Sequence, residues 1–488
     1  MASWLQYNSD AGVTPKKAAT VILFDQETNA TLLVQRNKSL VFMGGHHAFP
    51  GGSVSQQDTG RCVRGTSDTD LAVSISTAVR EVFEETGILL VDGDIPGLGH
   101  IERMRLEILQ SPDKFEDFLE QYNLLIQSEK FIPAGRWITP TFVPMRFDTQ
   151  YFLYCCKGGI SASPIGQEGE ITATTWLNVD KALDLRAKGR IQMSTPVVFV
   201  LRRLAVLSLD KVVKRLQHTP GFSEIIHDYI EPAHGIHIVP VSSQTLPPAS
   251  HTNCVLIGEK ELALIDPGIN DLKDRERFEA HLDEVLTMSN GILHAILLTH
   301  DHPDHSASVH RLAKRYNVPV YAHESYCKRD IAIEEGFCIE LVGAPPWRIR
   351  CLYTPGHHPG HFAFYEETTD TLISGDMVSN PGTIIIDPES GGDMGAYLNS
   401  LDRLSTLVPK MTIPGHGVPL MADSGTELFR KTIVHRRMRE ARIREAITSG
   451  ANTVETILLA AYDDTPEALY PLARRQLKAH LIDMNIVI

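Results

Sequence analysis

Apolar positions along this chain fall into short β-rich runs and longer amphipathic stretches, and their alternation predicts most of its elements. Residues 18–24 and 31–36 are two β-rich runs separated by the polar stretch 25–29, which predicts a hairpin or meander. Residues 70–86 carry helix formers with Val79, Val82 and Phe83 on one face, and Gly87 supplies the stop. Residues 150–155 and 171–177 read as strands, and 179–187, 196–209 and 210–216 as closing helices. A second set begins beyond a boundary placed near residues 217–231. Strands are predicted over 236–241, 253–257 and 262–265, a helix over 275–289, and a buried strand at 295–298. A helix over 307–316 and a strand over 318–322 follow, then β-like runs that end at Tyr353, Ile373 and Ile413. Helical signals at 428–448, 452–461 and 471–483 end the chain.

This is the pattern of an α/β multidomain protein, and 488 residues exceed what one ordinary core organises. With 43% hydrophobic and 22% charged residues the chain can bury such cores, which excludes wholesale disorder. A formal net charge of -14 excludes a molecule attracted as a whole to nucleic acid or an anionic membrane, and leaves room only for local basic patches. Seven cysteines without a C-x-x-C spacing fit a reducing compartment. Residues 1–19 contain no secretory core, and no apolar run approaches a membrane span, so a cytoplasmic location without membrane contact is expected.

Two stretches carry chemistry. On the helix at 70–86, Glu81, Glu84 and Glu85 stand at i, i+3 and i+4, so three carboxylates share a face and repel one another. Arg80 can brace Glu84 across one turn, and a hard divalent cation would relieve the remaining repulsion. Glu168 and Glu170 read first as solvated turn carboxylates, with a role as further base or ligand as the other reading. With the turn Phe49-Pro50-Gly51-Gly52 upstream, the run from Arg80 to Ile88 resembles the Nudix hydrolase signature, an arginine-glutamate pair followed by two further glutamates and a glycine. The long stretch between Gly52 and Arg80, with Trp137-Ile138-Thr139-Pro140 and Arg146-Phe147-Asp148-Thr149, is similar to the branch that includes coenzyme A diphosphatases. This resemblance implies an α/β/α sandwich over residues 1–225, with Glu81, Glu84 and Glu85 as ligands of Mg²⁺ or Mn²⁺ and Glu84 and Glu85 as catalytic groups. The implied substrate is a nucleoside diphosphate derivative such as coenzyme A. Ala72 stands where the family usually has Glu, so a domain that binds this ligand without cleaving it is the alternative.

The second stretch, His300-Asp301-His302-Pro303-Asp304-His305, crowds imidazoles and carboxylates at the end of a buried strand. Zinc takes such donors. Three further donors, His357, Asp376 and His416, each follow a β-like run beside a glycine, which lets the chain turn and aim the donor into a cleft. Asp266 also ends a strand before a glycine, where it caps the turn or orients a ligand. His310 and His323 fall on ordinary elements and are assigned structural roles.

Together these residues resemble the metallo-β-lactamase superfamily across residues 236–420. The resemblance implies an αβ/βα sandwich over residues 226–425 with two Zn²⁺, one held by His300, His302 and His357 and the other by Asp304, His305 and His416, with Asp376 bridging. Asp304 thereby counts among the catalytic residues, and His361 is the candidate proton donor, against a packing role. Two zinc ions lower the pKa of a shared water, which makes a thioester or a phosphodiester cleavable.

Residues 426–488 are helical and locally basic, with Arg436, Arg439, Arg442, Arg444, Arg474, Arg475 and Lys478 among the cations. They are similar to the winged-helix-like tail of the β-lactamase-like protein 2 branch, which implies single-stranded RNA as a partner and endoribonuclease-like action. The other reading is a thioesterase acting on acyl-coenzyme A, akin to glyoxalase II.

Overall fold

The computed structural model describes residues 14–40, 43–139, 145–156, 160, 162, 169–217, 229–243, 245 and 249–488. Glu168 and Pro140 lie outside these residues. The chain divides into two compact units, Met1–His227 and Asp228–Ile488.

In the first unit the apolar strand Lys16–Asp25 lies at the centre of a mixed sheet. It pairs in parallel with Phe147–Cys156 along its whole length, and antiparallel with Gly51–Ser53 and Ala30–Arg36. The expected hairpin is present, with Phe24 opposite Thr31. Helix Thr69–Thr86 starts where the Asp68 side chain accepts from the Leu71 amide and stops at Gly87, whose φ of 75° is left-handed. It buries Ile75, Val79, Val82 and Phe83 against Val21, Leu23 and Leu32 of the sheet. That burial fixes which face of the helix carries Glu81, Glu84 and Glu85. Two further helices, Leu98–Gln110 and Lys114–Gln121, close the same core with Ile108, Phe115 and Phe118.

In the second unit alternate strand residues serve two faces. Ile238, Val255, Ile265, Ala295 and Leu297 meet Leu341, Trp347, Ile349, Phe364, Ile373 and Ile413 in a shared interior. The intervening residues Val239, Leu256, Leu264 and Ile296 receive helices Leu272–Ser289 and Val309–Tyr316 on one outer face. Leu352, Leu372 and Met377 receive helix Met394–Leu404 on the other. This layering of helix, sheet, sheet and helix follows from the period of two along each strand. The strands form one continuous ladder, joined between His251–Gly258 and Met411–Gly417 by the single pair Thr252 and His416.

The helix predicted over 307–316 begins at Val309 and runs to Tyr316, after a separate short helix Pro303–Ser306. Ser308 separates the two, because its amide donates to the Pro267 carbonyl at 3.0 Å and its hydroxyl to the Ile269 carbonyl at 2.7 Å. The chain ends in helices Asp423–Thr448, Val454–Ala461 and Tyr470–Asp483, which share a core of Ile443, Ile457, Leu458 and Leu477. Phe429 and Ala479 of these helices also pack in the cluster around helix Met394–Leu404. Among the described residues no helix is long and apolar enough to cross a membrane.

Candidate metal centres

Strand Ile292–Leu297 runs out at Leu298, and the next residues turn their donors into one buried cluster. Asp266 anchors that turn. It accepts the Thr299 amide at 2.8 Å and the Thr299 hydroxyl at 2.6 Å, and its second oxygen lies 2.9 Å from Nδ1 of His305. Nε2 of His300 and Nε2 of His357 lie 2.9 and 3.1 Å from Nδ1 of His302. Nε2 of His416 lies 3.3 Å from Oδ1 of Asp376 and 3.5 Å from Asp304, and Nε2 of His305 lies 3.4 and 4.0 Å from the same two carboxylates. Asp376 reaches both groups, since its Oδ2 is 3.5 Å from Nε2 of His357. Three sets of donors converge within 4.8 Å: His300 with His302 and His357, His300 with His305 and Asp376, and Asp304 with His305 and His416. The glycine beside His416 is required by crowding, because a Cβ on Gly415 would lie 2.2 Å from Oδ1 of Asp376.

The residues fit a divalent cation by two tests. Nε2 of His305 and Oδ1 of Asp376 are buried without a hydrogen-bond partner, a costly state for polar atoms that have nothing to bind. The outer ring nitrogens are meanwhile occupied. Nδ1 of His357 donates to the Ile385 carbonyl at 2.8 Å, Nδ1 of His416 to the His251 carbonyl at 3.0 Å, and Nδ1 of His305 to Asp266. Such partners hold each ring with Nε2 facing inward. Burial lowers the pKa of His357 to about 4 and that of His300 well below its ordinary value, so both stand neutral and ready to ligate. His305 is raised well above the ordinary value, since Asp376 and Asp266 outweigh its burial. Asp376 is held well below the carboxylate range, because His416 and His305 outweigh its own burial.

His361 is fully buried. Its Nδ1 pairs with the Thr354 hydroxyl at 2.8 Å and its Nε2 accepts the Asp376 amide at 3.1 Å. Both nitrogens are thus engaged, and the ring braces Asp376 through its amide. His310 is exposed and His323 stacks on Tyr353. Two contacts around the cluster become visible only in the fold. His358 pairs with Asp301 at 3.0 Å beside the cluster. The segment carrying Ile385 is held by the last helices, where Gln476 donates to Ile384 at 2.8 Å and Arg436 donates to Thr383 and Ile384.

The carboxylate site of the first unit is built on helix Thr69–Thr86 and the glycine turn. The Gly51 amide donates to Glu85 at 3.0 Å. Nη1 of Arg80 lies 2.9 Å from Glu84 and 3.0 Å from Glu81, while its other edge meets Asp58 at 2.9 and 3.0 Å. Burial raises Glu81 to about 7 and Glu85 well above the carboxylate range, and raises Glu84 as well. The three carboxylates share one helix face beside Arg80, but they are not among the donor sets of the described residues that converge within 4.8 Å. Glu170 adds to the repulsion at all three and pairs with Arg36 at 2.9 Å.

Residues 63–204 match the family model described as the NUDT19 Nudix domain, and residues 247–416 that of the metallo-beta-lactamase superfamily. A Beta-lactamase-like protein 2 homolog of Drosophila melanogaster is 29% identical over 250 residues, spanning 47% of this chain and 80% of its own. An atrochrysone carboxyl ACP thioesterase of Aspergillus chevalieri is 28% identical, over 44% of this chain and 69% of its own. Among solved structures, a NUDIX hydrolase from Alicyclobacillus acidocaldarius covers 43% of this chain and 100% of its own at 26% identity and a TM-score of 0.39.

Proposed function

Because this chain joins a Nudix domain to a metallo-β-lactamase domain and is a hydrolase, we propose that its two centres act on one class of substrate, acyl thioesters of coenzyme A and the coenzyme released from them. In this reading the histidine centre holds two Zn²⁺, through His300, His302 and His357 on one side and Asp304, His305 and His416 on the other, with Asp376 between them. The carboxylate centre holds Mg²⁺ or Mn²⁺ through Glu81, Glu84 and Glu85. When bound, the zinc pair supplies water activated near neutral pH and positive charge for the oxyanion that develops on the thioester carbonyl.

The observation that carries the two-metal reading is Asp376, whose two oxygens face different donor sets at 3.3 to 3.5 Å. The protein's own part is to hold those oxygens still, and His361 does so through the Asp376 amide. Thioester is preferred over single-stranded RNA because most cations of the tail are already used, with Arg430 and Arg437 the exposed exceptions. Lys431, Arg442, Arg444, Arg474, Arg475 and Lys478 pair with carboxylates of the same unit, and Arg436 and Arg439 are buried. A relative with a thioesterase name points the same way. Residues 1–225, 226–425 and 426–488 then serve as diphosphate-cleaving, thioester-cleaving and bracing segments, in a cytoplasmic setting that suits seven unpaired cysteines.

The test is wild-type protein with zinc and magnesium, offered acyl-coenzyme A, coenzyme A and single-stranded RNA separately. Thiol release from acyl-coenzyme A and cleavage of the coenzyme A diphosphate are expected, with RNA left intact. RNA cleavage with acyl-coenzyme A untouched would replace this reading by the nuclease, and intact coenzyme A would leave the Nudix domain as a binding module.

A further inference from the structure

We propose that Asp58, on the segment between the glycine turn and helix Thr69–Thr86, is a positioning residue for the carboxylate centre and takes over the place left open at Ala72. The proposal rests on the reading of Glu81, Glu84 and Glu85 as a divalent-cation site.

Arg80 is buried, and a guanidinium out of water needs its charge and donors matched. Asp58, also buried, meets it edge on, Oδ1 with Nε at 2.9 Å and Oδ2 with Nη2 at 3.0 Å. Such a two-point pair fixes the plane of the guanidinium as well as its position. Asp58 is itself fixed, since Oδ2 accepts the Thr77 hydroxyl at 2.9 Å and the Ser55 amide at 2.8 Å. With that edge held, Nη1 is left to face Glu84 and Glu81 at 2.9 and 3.0 Å. Arg80 therefore spaces these two glutamates instead of collapsing onto one of them.

The same segment explains Ala72. Gly60, two residues beyond Asp58, has a φ of +72°, and a Cβ on it would lie 2.8 Å from Cβ of Ala72 and 2.7 Å from its carbonyl carbon. Glu116 pins this backbone by accepting the Gly60 amide at 2.8 Å and the Thr59 amide at 3.1 Å. A glutamate at position 72 would meet main chain that cannot withdraw. The carboxylate that orders Arg80 comes instead from the segment covering that spot, so alanine at 72 is compatible with a working cation site.

The experiment uses the full chain with zinc already bound, so that its preference for nitrogen donors keeps the histidine centre occupied. Mn²⁺ is titrated and its free signal followed by electron paramagnetic resonance, in wild type, Asp58→Asn, Thr77→Val and Glu84→Gln, with a melting curve for each. Asp58→Asn keeps the shape and removes the charge, and Mn²⁺ binding about tenfold weaker is expected, the scale on which partners of metal ligands act. Thr77→Val, which only loosens Asp58, is expected to weaken binding in the same direction by less, and serves alone should Asp58→Asn not fold. Unchanged Mn²⁺ affinity in the folded variants, whatever the melting temperature, overturns the proposal and leaves Asp58 a partner for burying Arg80. Failure of the underlying reading looks different, because Glu84→Gln would then bind Mn²⁺ as wild type does.

Discussion

Gln476, on the last helix of the chain, donates to the Ile384 carbonyl at 2.8 Å, one residue before the carbonyl that receives Nδ1 of His357. Its amide oxygen also accepts the Ile386 amide at 3.4 Å, so both flanks of Ile385 are tied to it. Helix Tyr470–Asp483 thus orients a candidate zinc ligand. Gln476→Leu is expected to fold and to weaken zinc binding at the histidine centre about tenfold, with Mn²⁺ binding in the other unit unchanged. Competition against a chromophoric chelator measures it, and equal zinc affinity would show that the helix only packs.

The Asp266 side chain carries three hydrogen bonds, to the amide and hydroxyl of Thr299 and to Nδ1 of His305. Asp266→Asn removes the charge that steadies His305 and is expected to lower zinc affinity 10- to 100-fold. Asp266→Ala also leaves buried donors unpaired, at a further cost of about 1–3 kcal/mol in stability. Metal retained after dialysis and urea unfolding of the two variants separate these effects.

Much of this centre was legible in the sequence, for a physical reason. Asp376 and His416 lie within the adjacent strands Thr371–Asn380 and Met411–Gly417, which run on past the predicted ends at Ile373 and Ile413, while His300 and His357 follow Ile292–Leu297 and Trp347–Tyr353 farther along the same ladder. The apolar runs mark the strands, and the resemblance to the metallo-β-lactamase superfamily implies which donors meet. Gln476 and Arg436 were not legible, since they act on a loop 52 to 92 residues away through main-chain carbonyls, which leave no pattern. Helix Leu98–Gln110 escaped because Leu98, Leu106 and Leu109 are exposed and blur its apolar stripe. Asp58 lies in a polar stretch where nothing marks one carboxylate as buried.

Ala72 gives a direct check on how the inserted segment is seated. Ala72→Glu is expected to lower stability by on the order of 1–3 kcal/mol, because the Gly60 backbone occupies the space, and to leave diphosphate cleavage no faster. A faster enzyme would mean that the segment lies elsewhere in solution.

His480 makes stability depend on pH. It is buried on the last helix, and burial, with Arg436, His435 and Arg439 adding repulsion, lowers its pKa to about 3. The unfolded chain takes up this proton near pH ~6.5 and the folded chain does not. Its contribution is therefore intact above that pH and is lost as pH falls toward 3, on the order of 3 kcal/mol by pH 4. His480→Gln should flatten the acid limb of a zinc-saturated stability profile relative to wild type. Parallel limbs for the two proteins would contradict it.

The measurement that bears most directly on two hydrolytic centres is product analysis by mass spectrometry after acyl-coenzyme A is incubated with wild type, His302→Ala and Glu84→Gln. His302→Ala should leave the thioester whole while the nucleotide half is still released, and Glu84→Gln should yield free coenzyme A with its diphosphate intact. Loss of both reactions in either folded variant, or of neither, would contradict the assignment of one reaction to each centre.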